Sequence, residues 1–230
     1  MVEQLHNIWD DFRDDDNLWV AVLTGAGNIF SAGFDIREFI QLVSEHGFKW
    51  RNSSIFGDKG CGPGTHSVWK PIIGALDGFV NGVGLWLALE CDIRIATKET
   101  TFALGEVRIN SAVEFSAVMT RYMPQAIVNE MLLTANTITA ERAYNLGLIN
   151  KIVPREQLMA EATAMANTIC KGGPTAARVM KQLVHRGWGL DSASAEALSA
   201  TMILPVVNSE DFKEGCSAFL EKRKPVWKVK

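Results

Sequence analysis

The chain has 230 residues, 47% of them hydrophobic, and a formal net charge of −3. That length and apolar content suffice for one full core with a helical appendage, and the slight acidity argues against a binder of nucleic acid or of an anionic membrane. Four scattered cysteines (Cys61, Cys91, Cys170, Cys216) and four histidines (His6, His46, His66, His185) without ligand spacing point to a reduced, cytoplasmic chain with no structural metal.

In chain order, Val2–Arg13 predicts a helix with Leu5, Ile8, Trp9 and Phe12 on one face. Asp14 to Asn17 breaks it, and Trp19–Leu23 reads as a buried strand. Arg37–His46 is a second helix, and Gly47–Ser67 a long loop. Its glycines lack the Gly-Lys-Ser/Thr ending of a phosphate loop. Ile72–Leu76, Ile93–Ala96, Thr101–Ala103 and Ile149–Val153 read as strands, with helices over Gly84–Glu90, Ser111–Met123 and Gln125–Thr134. Beyond Pro154 the pattern is helical to about Lys222, broken at Gly172-Gly173-Pro174 and near Pro205. The order is that of an α/β protein. No stretch is long and apolar enough to span a bilayer, and the acidic N-terminal stretch reads as neither signal nor transit peptide.

Two segments carry the chemistry: Phe30-Ser31-Ala32-Gly33-Phe34-Asp35-Ile36 and Asp77-Gly78-Phe79-Val80-Asn81-Gly82-Val83-Gly84. Each is a small-residue turn between an apolar run and a helix, where backbone approaches closely and N–H groups lack helical partners. Two such turns side by side would aim two N–H donors at one point, the geometry of an oxyanion hole.

With Lys70–Gly78, Cys91–Ala96, Ala140–Val153 and the terminal Lys213–Pro225, these segments resemble the crotonase family, the enoyl-CoA hydratase/isomerase superfamily, over nearly the whole chain. The resemblance implies a ββα spiral core over 1–153 and a C-terminal helical trimerisation region over 154–230, assembled as a homotrimer or dimer of trimers. It also implies an acyl-CoA thioester substrate, with coenzyme A part of the substrate and no separate cofactor. The N–H groups of Phe34 and Val83 become the oxyanion donors, and Ala32, Asp35, Ile36, Gly82, Trp86 and Lys222 the CoA- or acyl-binding positions. In the family a strand pair and a CoA-contacting turn precede the first helix. Here the resemblance begins inside that helix, which implies an unpaired sheet edge.

Glu106, after a short strand and Gly105, matches the family's general acid/base, and burial tunes a carboxylate for that work. A plain surface Glu at a helix start is the other reading. Hydratases place a second Glu where this chain has Trp86, and Glu90, one turn on, reads as solvated or paired. Glu114 stands between Val113 and Phe115, at a position that is Gly in most hydratases and a working Asp in dienoyl-CoA isomerases and a benzoyl-CoA dehalogenase. A carboxylate buried there would be costly unless used, which makes it a candidate second acid; the alternative is a solvated side chain. Trp86, Phe79, Phe115, Trp50 and Phe56 could line an acyl pocket or simply fill the core. Lys222 and Arg223 read equally as phosphate contacts or as a solvated tail. Expected activities are enoyl-CoA hydration or dehydration and double-bond isomerisation. The similarity of Pro124–Met131 to carnitinyl-CoA dehydratases keeps dehydration among them. A thioester hydrolase and a non-catalytic, RNA-associated member remain alternatives, although Ala177, Arg178, Lys181, Gln182 and Arg186 make that helix only mildly basic.

Overall fold

The computed structural model describes residues 1–46 and 61–228, so the candidate pocket residues Trp50 and Phe56 lie outside the described residues. The elements are α1 (Val2–Asp14), β1 (Ala21–Thr24), α2 (Ile36–His46), β2 (Ile72–Leu76), β3 (Phe79–Asn81), α3 (Val83–Glu90), β4 (Ile93–Thr97) and β5 (Thr101–Ala103). There follow α4 (Gln125–Thr134), β6 (Ile138–Thr139), α5 (Ala140–Asn145), β7 (Lys151–Val153), α6 (Leu158–Ile169), α7 (Pro174–Gly187), α8 (Ser192–Val207) and α9 (Glu210–Leu220).

The strands form two sheets. One is all parallel in the order β1-β2-β4-β7, the other runs β3-β5-β6. Every residue of β2 is buried, which is why it reads as an unbroken apolar run. The chain winds as a spiral in which each turn gives one strand to each sheet and then a helix. The first turn is β1, a single bridge residue Ser31 paired with Val80, and α2. The second is β2, β3 and α3, and the third is β4, β5 and a 3-10 helix over Glu106–Ile109. α6 lies past residue 153 yet covers the large sheet, with Leu158 and Ala162 packed beside Ile73, Ala75 and Ile95.

Helix α1 seats Trp9 and Phe12 in the core, and the Trp9 indole N–H donates to the Cys61 carbonyl at 3.0 Å. Ile8, expected on the same face, is 53% exposed, since it lies at the edge of the stripe centred on Leu5, Trp9 and Phe12. The buried Lys70 ammonium closes the far end of α1, donating to the carbonyls of Phe12 (2.7 Å) and Asp15 (2.6 Å). At the C-terminus of α3 the Arg94 guanidinium donates to the carbonyls of Ala88, Leu89 and Cys91 and, across to the next connection, to Leu148 at 2.6 Å.

Several expectations need correcting. Trp19 and Val20 precede β1 rather than forming it. Ser111–Met123 is not one helix: Val113 is extended, and Glu114–Arg121 is a 3-10 run of 8 residues, longer than the usual few. Pro205 does not break α8, since it falls in the last turn, where its missing N–H forfeits a single bond. β3 lies inside the Gly-rich segment read as a turn, and β6 has only two residues, too short to show alternation.

Candidate active site

Adjacent turns of the spiral bring the two Gly-rich segments together. Ser31 N–H donates to the Phe79 carbonyl and Asn81 N–H to the Ser31 carbonyl, both at 2.9 Å. Gly84 then lets the first turn of α3 lie on the segment: a Cβ there would sit 2.5 Å from the Ser31 Cβ. Gly33 and Gly82 meet directly, each with its Cα 3.6 Å from where the other's Cβ would stand. Phe34 and Val83, the residues after these glycines, therefore stand side by side. Val83 opens α3, so its N–H has no intrahelical acceptor. Gly33 N–H is taken by the Ser31 hydroxyl at 3.2 Å.

The third turn supplies a carboxylate. Gly82 has a φ of +54°, and a Cβ on it would lie 3.1 Å from Glu106 Oε1. The carboxylate therefore occupies the space the glycine leaves. Oε2 of Glu106 is buried and has no hydrogen-bond partner among the described residues. Burial raises its pKa above the ordinary carboxylate value, offset in part by a hydrogen bond from its own backbone N–H. A carboxyl shifted in this direction holds its proton more readily than an exposed one, which suits a group that must both give and take a proton.

A cleft of about 760 Å³ opens beside the paired glycines, lined by Ser31, Gly33, Phe34, Cys61, Val83 and Leu87 together with the first turn of α1. Its size suits a small-molecule ligand. Asp35 borders it and also caps α2, its Oδ1 accepting from Arg37 N–H at 2.9 Å. Ala32 is exposed on the same segment, and Ile36 is exposed at the first position of α2. Trp86 is half-buried and stacks on Phe115, with ring centroids 5.1 Å apart and an interplanar angle of 27°. Phe79 is exposed at the start of β3.

The remaining candidates are placed differently. Glu114 is exposed at the start of its 3-10 helix, so the argument from the cost of a buried charge does not hold for it. Its neighbours Val113 and Phe115 carry the apolar packing instead. Glu90 is not solvated: it accepts from Gly64 N–H at 3.0 Å, and burial raises its pKa. Lys222 is exposed just after α9 and is not among the residues lining the cleft, while Arg223 is held by Glu214 and Glu221. The supporting roles of Ser31 and Leu87 were overlooked in the sequence. Leu87 stands four residues after Val83, a helical spacing that could have revealed it.

The family model described as enoyl-CoA hydratase/isomerase matches residues 1–230. The chain belongs to that family. It is 31% identical over 226 residues to a short-chain-enoyl-CoA hydratase of Clostridium acetobutylicum, covering 97% of this chain and 85% of that one. It is 32% identical over 234 residues to a carnitinyl-CoA dehydratase of Escherichia coli, covering 98% and 87%. A crystal structure of an enoyl-CoA hydratase from Mycobacterium tuberculosis matches with a TM-score of 0.90 and 30% identity, covering 100% of this chain and 88% of the other. The fold is that of the crotonase enzymes, and the protein is an enzyme of this family. Among the described residues no helix is long and apolar enough to cross a membrane.

Proposed function

We propose that the enzyme adds water to, or removes it from, an enoyl-CoA thioester through an enolate held by the Phe34 and Val83 N–H groups. The observation that carries this reading is the Glu106 carboxylate, its Oε2 buried and unpartnered among the described residues, lying against Gly82 where that glycine meets Gly33. In hydration, a water oxygen bonds to the β-carbon while Glu106 accepts a proton from that water. The π electrons move onto the thioester oxygen, and the two N–H donors stabilise the developing charge. The enolate then takes a proton at its α-carbon from Glu106, which returns to its starting state. Dehydration is the reverse. The balance closes with water and Glu106, so coenzyme A enters as part of the substrate and no separate cofactor is required.

Glu114 is proposed as a second acid that orients the water from the segment next to Trp86. Trp86 itself, an apolar ring where a second carboxylate would hold water, favours the neighbouring reaction, in which Glu106 moves one proton between the α- and γ-carbons. Ala32, Asp35, Ile36, Gly82 and Trp86 are assigned to the thioester and acyl group, and Lys222 to the CoA phosphates. The exposed Phe219 (84%) and Leu220 (80%) on α9, beside an apolar cleft of about 510 Å³ between α7 and α9, support a homotrimer or dimer of trimers built on this arm. Four free cysteines fit a cytoplasmic setting.

Assays against crotonyl-, 3-hydroxybutyryl- and 3-hexenoyl-CoA test the reading. Turnover of at least one is expected, with a loss of roughly two to four orders of magnitude in Glu106→Gln. Turnover of none, or undiminished turnover in the variant, contradicts it.

A further inference from the structure

The segment that carries the Phe34 N–H leaves the small sheet early. Ser31 is its last paired residue: it bridges Val80, its N–H donates to the Phe79 carbonyl, and its carbonyl accepts from Asn81 N–H, both at 2.9 Å. Phe34 lies three residues on, and α2 begins only at Ile36. Among the described residues Ala32 makes no backbone hydrogen bond, and Gly33 makes one, from its N–H to the Ser31 hydroxyl at 3.2 Å. The peptide that presents the Phe34 N–H is the one joining Gly33 to Phe34. Gly33 has a φ of +96°, a region that glycine enters and leaves freely, so its own sterics do not fix the plane of that peptide.

The Ser31 side chain is itself held in place. Its backbone is paired on both sides, and the first turn of α3 lies against it: a Cβ on Gly84 would stand 2.5 Å from the Ser31 Cβ and 2.7 Å from its Oγ. One side chain thus meets the neighbours of both proposed donors, Gly33 before Phe34 and Gly84 after Val83. A serine hydroxyl that accepts from the N–H two residues ahead closes a small ring and sets the course of the chain through it. Ser31 also lines the cleft, and its hydroxyl has no further hydrogen-bond partner among the described residues.

We infer that Ser31 is a positioning residue of the oxyanion hole: its hydroxyl, by holding the Gly33 N–H, aims the Phe34 N–H at the thioester oxygen. This rests on the reading of Phe34 and Val83 as donors to that oxygen. Ser31 acts through the backbone and not on the reacting atoms. A hydrogen bond weakens steeply as it departs from linearity, and developing charge is stabilised best by donors already in place. A single neutral hydrogen bond holds the peptide, so its loss should slow the reaction roughly tenfold. That is less than the hundredfold or more expected on the order of losing a donor outright.

The test compares the wild type with Ser31→Ala, which keeps the Cβ against α3 and removes only the hydroxyl. The probe is butyryl-CoA isotopically labelled at the thioester carbonyl. Its infrared stretch reads the donors directly, because hydrogen bonds to the oxygen lower the frequency, and exchange of its α-protons in D2O reads the enolate. In the wild type the bound carbonyl should absorb below the free thioester. Ser31→Ala should give back part of that shift and lower the kcat of exchange roughly tenfold with KM unchanged. A serine with a merely structural role would lower the melting temperature and leave the bound carbonyl at its wild-type frequency. Should Ser31→Ala fail to fold, Ser31→Cys, of similar shape and a weak acceptor, is expected to show a smaller loss in both readouts. A wild-type frequency or a wild-type exchange rate in the variant overturns the inference, and the shift and exchange of the wild type then leave the reading of the reaction intact. A wild type that binds the probe without shifting its carbonyl overturns both.

Discussion

Glu106 is held where its charged form is costly. Half-buried against Gly82, it gains little from hydrogen bonds, and burial raises its pKa above the ordinary carboxylate value. A carboxyl with a raised folded pKa contributes stability that is fully present below its unfolded pKa and lost as pH rises through the folded one. Ionised Glu106 therefore costs stability at neutral pH, and Glu106→Gln removes that cost. Thermal unfolding should show the variant melting above the wild type at neutral pH, with the difference closing as pH falls through the folded pKa. A variant that melts lower at neutral pH would mean that the carboxylate is paired and structural. Activity in the hydration direction needs the ionised base, so its acid limb should fall at higher pH than an ordinary exposed glutamate would give. Glu106 was legible from the short strand and glycine that precede it. For Glu114 the apolar neighbours suggested burial, and the side chain is exposed. Phe115 turns to Trp86 while Glu114 stays exposed, which neighbours in sequence alone do not reveal. As a second acid, Glu114 should lose most turnover on conversion to Gly without loss of folding; an unaltered rate and pH profile would leave Glu106 as the sole acid.

Helix α3 does the most to build the site, and both of its ends are set by residues outside it. Its first turn lies on Ser31 because Gly84 carries no side chain, and its last carbonyls are bound by the half-buried Arg94. The helix itself was legible as an apolar run after a Gly-rich turn. Arg94 reads in sequence as a strand residue, and its guanidinium reaches α3 only once β4 has paired with β2. Val83 opens this helix, where proline is well tolerated because the N–H is unused by the helix. Val83→Pro should therefore leave the fold in place and lower turnover on the order of a hundredfold by removing one donor. Val83→Ala should be close to wild type. Circular dichroism and steady-state rates check both, and equal damage from the two would assign Val83 a packing role instead.

Across the whole molecule the three positions proposed to act on the substrate repeat. Ser31, Val80 and Phe102 lie side by side as paired residues of the small sheet and its bridge. Three residues on from Ser31 and from Val80 come Phe34 and Val83, and four on from Phe102 comes Glu106. Each sits where a spiral turn leaves the small sheet and enters a helix, so stacking the turns assembles the site. The separate turns were visible in the sequence, but their stacking depends on pairings of three residues that carry no periodic signal. The central claim is that two N–H donors and one carboxylate converge on a single enolate. Exchange of the α-protons of butyryl-CoA in D2O, followed by NMR, tests this most directly, since it needs the enolate and neither water addition nor a double bond. The wild type should catalyse the exchange, and Glu106→Gln should slow it by roughly two to four orders of magnitude. No exchange by the wild type, or equal exchange by the variant, would contradict the account.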